Sequence, residues 1–426
     1  MRSILLAAAV LLLACFSPPF QDDDAWWRLA TGRLIVQNHK VPVTDPFDFT
    51  TYIGPADADR QSKLAADWMP HAAMYLVYAA GGFVLVVLVR ALLLMLACGL
   101  TGYAVWRMSR SFYVSLAGVF LPAAACSGFV HDQPAILTFL LVAGAVVLVA
   151  RRLWWALAPL AVFGWWSGLR YADVPLWTLS PILAYGLAWL PWKVKAPLAA
   201  RWNWALTILI LAAVALPVWQ HRAFGFSAWD ATRPAGAVRF LEAHHVAGPI
   251  FNTLDQGGYL VWQFGPERRV FVDGRRLNQA VVRDAYRIAN GVTALPLLDQ
   301  YGVQAILIQA FDYPTGSPRF LIATLADPNQ TQWKLVYQDG EAMVFLRQVP
   351  PGVRALPNTA ALSSMEAQCA AHIRMVPGEP LCARETCKMY EHLGNLDRAR
   401  FWLAYYLQHK KQPDPEAEVE YQRLLR

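Results

Sequence analysis

Asp22, Asp23 and Asp24 stand in a row, and Trp26 and Trp27 follow after one alanine. A carboxylate in such a cluster can take the proton from an attacking hydroxyl, and neighbouring ones can hold a divalent cation against a phosphate. Acidic residues beside an apolar segment are equally the solvated flank of a helix, so their position decides between the two. Arg90 lies well inside an apolar run, where a charge needs a partner or a wet cavity. Elsewhere the chemistry thins out. Gly257-Gly258 lacks the strand–GxGxxG–helix arrangement of a phosphate loop and is expected as a tight turn. Asp273-Gly274-Arg275-Arg276 follows a strand end, where ligands often bind, although a structural turn explains it as well. His244-His245 has no second ligand pair, no nucleophile triad is readable, and no metal ligand set is assigned.

The elements that must position these residues are largely apolar. Of 426 residues 56% are hydrophobic, 18 are tryptophan and only 16% are charged, against roughly 25% in a soluble domain. The apolar runs fill the first half and fade after Trp219, which implies a membrane domain followed by a soluble one. The net charge of +7 is spread along the chain without an aromatic-interleaved basic patch, so it implies no nucleic-acid partner.

Ser3 to Phe16 is short for a span, since about 20 apolar residues are needed to cross. It reads as an uncleaved first helix stopped by Pro18-Pro19, or as a signal peptide whose Leu12-Leu13-Ala14-Cys15 resembles a lipobox. The loop from Pro18 to Gly82 holds eight aspartates against five basic residues, net −3. Two amphipathic helices are expected in it, Asp24 to Asn38 with Trp27, Leu34 and Ile35 on one face, and Lys63 to Ala80. Their aromatic residues, with Trp26, Trp27 and Trp68 foremost, suit a membrane interface. Further spans are expected at 83–106, 112–129, 135–150, 153–168, 174–190 and 204–219, seven with the first. The connections Arg107 to Arg110, Arg151-Arg152 and Lys193 to Arg201 are basic, and the alternate ones are not. The positive-inside rule then puts the N-terminus in the cytoplasm and the acidic loop and everything after Trp219 outside.

After Gln220 helices and strands alternate. Helices are expected at 235–245, 279–290 and 319–325, strands at 249–252, 270–272 and 304–308, and a hairpin of 333–337 with 342–346 about Asp339-Gly340. This makes an α/β domain over 221–349. The tail, 353–426, is helical, and its hairpin over 383–409 looks like a tetratricopeptide unit. One such repeat cannot bury its own face, so it must pack on the α/β domain or on a partner protein. Among Cys369, Cys382 and Cys387 one disulfide and one spare thiol are expected if the tail lies outside the cytoplasm.

Several segments together carry a resemblance. Asp22-Asp23-Asp24-Ala25-Trp26-Trp27, Ala30-Thr31-Gly32-Arg33, Pro42-Val43-Thr44-Asp45-Pro46-Phe47 and Trp68-Met69-Pro70-His71 before Gly81-Gly82 resemble bacterial C-type glycosyltransferases, multi-span enzymes that use polyprenyl-phosphate-linked sugars. Gly257-Gly258-Tyr259, Trp262 and Val272-Asp273-Gly274-Arg275 are similar to an outer domain of several such proteins. The resemblance covers residues 20–110 and 249–347. It implies an α-helical polytopic membrane protein of about seven spans in the bacterial inner membrane, with an extracytoplasmic α/β domain and a helical tail. It implies sugar transfer outside the cytoplasm, with Asp22 or Asp24 as base and a divalent cation left open. Arg90, His131 or Arg170 would face the donor phosphate, arginine being suited to bidentate contact. The chain departs from the pattern at Arg28, His131-Asp132-Gln133-Pro134 and Ser167-Gly168-Leu169-Arg170. A non-catalytic membrane scaffold that binds partners through its outer domain and tail is the alternative.

Overall fold

The computed structural model describes all residues except 21–22, 55–56, 130–132, 168–175, 191–198, 221–222, 227–232, 313–315, 328 and 376–379. The protein is mostly helical with one small sheet. It divides into two compact units. The first comprises residues 1–22, 28–43 and 65–229, the second 23–27, 44–64 and 230–426. The acidic loop, one segment in the sequence, is thus shared between them.

In the first unit α1 (Arg2–Phe16) packs against the long helix and against α9 (Ala200–Ala213). Helix α2 (Ala25–Asn38) buries Trp26, Leu29, Ala30 and Ile35. The expected face of Trp27, Leu34 and Ile35 is therefore rotated, with Trp27 and Leu34 only half-buried. The short α3 (Arg60–Ala65), almost wholly in the second unit, precedes α4 (Trp68–Ser109), which holds the expected interfacial helix and second span. Helix α4 breaks at Gly81-Gly82, where Gly82 has φ 60° and ψ −158°, a conformation open in practice to glycine alone. Helices α5 (Phe112–Cys126) and α6 (Gln133–Ala150) flank α4. Gly102 and Gly118 let α4 and α5 approach, since a Cβ on either would meet valine methyls at 2.4 and 2.7 Å. Three shorter helices, α7 (Leu157–Trp166), α8 (Ser180–Gly186) and α10 (Ala215–Trp219), complete the unit.

Among the described residues two helices are long and apolar enough to cross a membrane, Arg60–Ser109 and Ala200–Trp219. Seven spans are not clearly seen: Arg2–Phe16, Phe112–Cys126 and Ala135–Ala150 are apolar but shorter, and the later segments divide into α-helical and 3₁₀ pieces.

The second unit is built on a four-stranded sheet of order β1 (Ile250–Phe251), β2 (Ala305–Ile308), β4 (Met343–Leu346), β3 (Lys334–Gln338). β1 and β2 are parallel and the other pairs antiparallel. The hairpin stands where expected, and Asp339 closes its turn by accepting from the amides of Glu341 and Ala342. The strand expected at 270–272 is reduced to bridges made by Val270 with Ile250 and Asp48. Helices α11 (Ala235–Ala243), α12 (Leu254–Phe264), α13 (Gln279–Ala289), α14 (Ala294–Gln300) and α15 (Leu321–Ala326) surround the sheet. Gly257-Gly258 lies inside α12 rather than in a turn, because the apolar run Tyr259-Leu260-Val261 continues its buried face.

Tail helices α16 (Ala361–Met375), α17 (Leu381–His392), α18 (Leu396–His409) and α19 (Pro415–Leu425) share one apolar core with the sheet. Glu366 of α16 ties it to α17 and α18 by accepting from Tyr390, Arg398 and Trp402 through one carboxylate oxygen. Cys369 and Cys382 form a disulfide with Cα atoms 5.5 Å apart, and Cys387 is the buried spare thiol. The bridge closes a short loop, so Cys369→Ser should cost about 3 kcal/mol. Thermal unfolding of the full chain with and without reductant checks this. An unchanged transition in the variant would remove the bridge from the account.

Candidate functional site

The second unit gathers the residues that the resemblance singled out in two distant parts of the chain. Two glycines of α12 and one of the following loop make this contact close. A Cβ at Gly257 would stand 2.1 Å from the Val272 carbonyl oxygen, and one at Gly258 would stand 2.8 Å from the Asp23 carbonyl oxygen. At Gly274 it would meet the Asp24 Oδ1 at 1.9 Å. Residues 23–27 therefore lie directly on α12 and on the Asp273-Gly274-Arg275 loop. The Asp24 carboxylate accepts from Trp27 Nε1 at 2.8 Å and remains half-buried. Trp26 is buried edge-on against Tyr259, with ring centroids 5.3 Å apart, and packs beside Trp262, while the Arg233 guanidinium lies 5.2 Å from its ring.

The loop 44–64 is joined to the segment after Val270 along its length. Val270 N donates to the Phe47 carbonyl at 2.8 Å, and Phe49 N donates to the Val270 carbonyl at 3.1 Å. Asn278 caps α13 with its Oδ1, while its Nδ2 donates to the carbonyls of Thr50, Thr51 and Ile53. Asn252 holds the segment from the other side, its Nδ2 on the Val272 carbonyl and its Oδ1 on the Phe271 amide.

Inside this joint lies an ionic cluster. Arg275 reaches Asp45 at 2.7 Å, Asp273 at 2.6 Å and Asp48 at 3.4 Å, and all four side chains are almost wholly buried. Asp45 also accepts from Thr51 Oγ1 and from the amides of Phe47 and Asp48. One guanidinium cannot neutralise three carboxylates in a dry site. Burial, then Asp273 and Asp45, push the Asp48 carboxyl well above its ordinary range. Burial also raises Asp273, against the pull of Arg275. For Arg275, burial alone would lower the pKa, and the three acids override it and raise it. The Asp48 carboxyl is thus pushed toward its protonated form.

A carboxyl whose folded pKa lies above its unfolded value stabilises the fold less as pH rises from the unfolded pKa, near 3.8, through the folded one. Asp48→Asn, which fixes the neutral form, should flatten the loss of stability with rising pH over that window. Thermal unfolding across pH checks it, and parallel curves for the two proteins would contradict the assignment.

Of the other sequence candidates, Arg90 is buried in the first unit. Its Nη2 donates to the Pro18 carbonyl beyond α1, and its guanidinium lies 5.5 Å from the Phe20 ring. It thus holds the exit of the first helix. Trp68 Nε1 donates to the Trp166 carbonyl at 2.9 Å, and their rings meet edge-on at 5.1 Å. Asp22, His131 and Arg170 lie outside the described residues. The cluster of Asp45, Asp48, Asp273 and Arg275 had a readable signal, Asp45-Pro46-Phe47-Asp48 with its Asx-turn character. Its partner Asp273-Gly274-Arg275 was readable as a strand-end motif, but nothing in the sequence linked the two across 230 positions. Among the described residues Cys387, Glu391 and Glu420 bring three ligand atoms within 4.8 Å of one another, and Arg423 already pairs with Glu391.

No protein-family model, no curated protein and no solved structure matches the chain.

Proposed function

We propose that the protein is a multi-span membrane enzyme of about seven spans that transfers a sugar from a polyprenyl-phosphate donor to an acceptor hydroxyl outside the cytoplasm. The observation that carries the reading is the seating of Asp24. A half-buried carboxylate is fixed through Trp27 and against Gly274, at the place where the acidic loop begins. The apolar surface supports the membrane setting. Trp154, Trp155, Trp165, Trp166, Trp189, Trp202, Trp204 and Trp219 are each more than half exposed, as an interface belt would require. The disulfide suits an oxidising compartment outside the cytoplasm.

In this reaction the acceptor oxygen attacks the anomeric carbon, and its proton passes to Asp24 or Asp22. The bond from the anomeric carbon to the phosphate oxygen breaks, and polyprenyl phosphate leaves with the electron pair. General-base catalysis of this kind contributes about 10²–10⁴-fold. Membranes holding the protein should form product from a polyprenyl-phosphate-linked sugar, and membranes holding Asp24→Asn should form at least a hundredfold less. Equal product from both would end the reading of Asp24 as the base.

The second reading is a non-catalytic scaffold that binds a partner protein through the tail. It is favoured by the exposed apolar side chains Phe401 and Val419, 52% and 71% accessible, on helices that share the domain core. Phe401→Asp with Val419→Asp should then release a co-purifying protein, and an unchanged pull-down counts against it.

A further inference from the structure

Several buried and half-buried arginines of the second unit have acidic partners. Arg275 has three carboxylates, Arg319 has Asp255 and Asp312, Arg384 has Asp414, and Arg398 has Glu366. Arg268 has none. It is half-buried, its Nη2 is fully buried without a hydrogen-bond partner among the described residues, and the Phe264 ring lies 5.3 Å from the guanidinium. Burial, with no charged neighbour to offset it, lowers its pKa to about 10. A guanidinium removed from water without a counter-charge is costly, and a protein that keeps one has an anion to bring to it.

The surrounding backbone is held in place. Arg268 N donates to the Phe264 carbonyl at 3.1 Å, and a Cβ at Gly265 would meet the Val261 carbonyl oxygen at 2.7 Å and the Phe47 ring at 2.8 Å. Arg269, next in the chain, is exposed and adds a second positive charge to the segment. The neighbouring Glu267 is exposed. A planar fork in a segment with a second positive charge fits a tetrahedral oxyanion, which offers several acceptor oxygens at once.

We propose that Arg268, assisted by Arg269, binds a phosphate group, carried either on a lipid or on a soluble molecule. The choice of phosphate rests on the sugar-transfer reading. Binding is read without turnover, so either can fail alone.

The test uses the full chain and its thermal unfolding. One arm is neutral detergent with inorganic phosphate against chloride at equal ionic strength. The other is bilayer discs of phosphatidylcholine with or without phosphatidic acid. The unfolding temperature of the native chain should rise in at least one arm, by mass action on the folded state. A rise in the detergent arm identifies soluble phosphate, and a rise only in the discs identifies a lipid headgroup. Arg268→Gln should lose the rise and Arg269→Gln should keep most of it. Arg268→Lys, which preserves the charge but not the fork, should need roughly tenfold more ligand for the same rise. No rise in either arm, or a full rise in Arg268→Gln, overturns the proposal. Should Arg268→Gln fail to fold, Arg268→Lys decides, and an unshifted titration with it overturns the proposal.

Discussion

Arg275→Met is expected to unfold the second unit at ordinary temperature. The substitution leaves Asp45, Asp48 and Asp273 buried around an apolar side chain, with no cation among the residues that contact them in the cluster. Removing one partner of a buried ion pair costs about 3–5 kcal/mol, and here one residue serves three carboxylates. The total stability of a domain is about 5–15 kcal/mol. The guanidinium also lies 4.9 Å from the Phe47 ring, so methionine restores some packing but none of the charge. Limited proteolysis of the full chain should open residues 44–64 and 270–279 in the variant while the first unit's helices stay protected. A variant with the native cleavage pattern and unfolding temperature would show that the cluster contributes no stability.

Gly257→Ala is the second large effect. The added methyl would meet the Val272 carbonyl oxygen at 2.1 Å and the Asp273 Cα at 2.7 Å. Both atoms are backbone, and Val272 is held by Asn252 while Asp273 is held by Arg275, so no flexible end can give way. In a helix, alanine for glycine usually stabilises by about 1 kcal/mol. Here the sign should reverse, with a loss of several kcal/mol, in the upper range for a point change. Gly340→Ala, with nothing within 4 Å of the new Cβ, is the control and should change little. Unfolding temperatures of the two variants give the comparison. A Gly257→Ala protein as stable as the control would mean that α12 does not lie against the Asp273 loop as described.

These effects mark what could be read from the residues alone. Local pattern located the sheet strands β1 to β4 and helices α11, α13 and α15 of the second unit, but not α12 or α14. The continuous run Ala305-Ile306-Leu307-Ile308 is a fully buried strand, and the Asp339-Gly340 turn closes a hairpin. Pattern failed where contact over long separation decides. Gly257-Gly258 looked like a turn because glycines usually punctuate elements. Their use here is to bring a helix within touching distance of two other backbones, which only the folded chain displays. Asp45 and Asp273-Gly274-Arg275 were visible as motifs, but their meeting was not, because no local period links positions 230 apart. The rotated face of α2 has a related cause. Trp26 is drawn into the aromatic group of Tyr259 and Trp262, a tertiary preference that helical spacing does not carry. In the first unit, apolar composition identified the helices and the boundary at Gly81-Gly82, which leave the helical conformation between the helix expected to Ala80 and the span expected from Phe83.

The aspartates of the acidic loop therefore divide by their surroundings. Asp45 and Asp48 are sealed around Arg275, whereas Asp24 is held but half-open. The proposed sugar transfer would use Asp24, while the sealed group serves stability. The most direct test is the sugar-transfer rate per folded molecule of Asp24→Asn, taken with its unfolding temperature on the same preparation. The account predicts a native unfolding temperature and a rate at least a hundredfold lower. A native rate, or a collapse in stability like that expected of Arg275→Met, would contradict it.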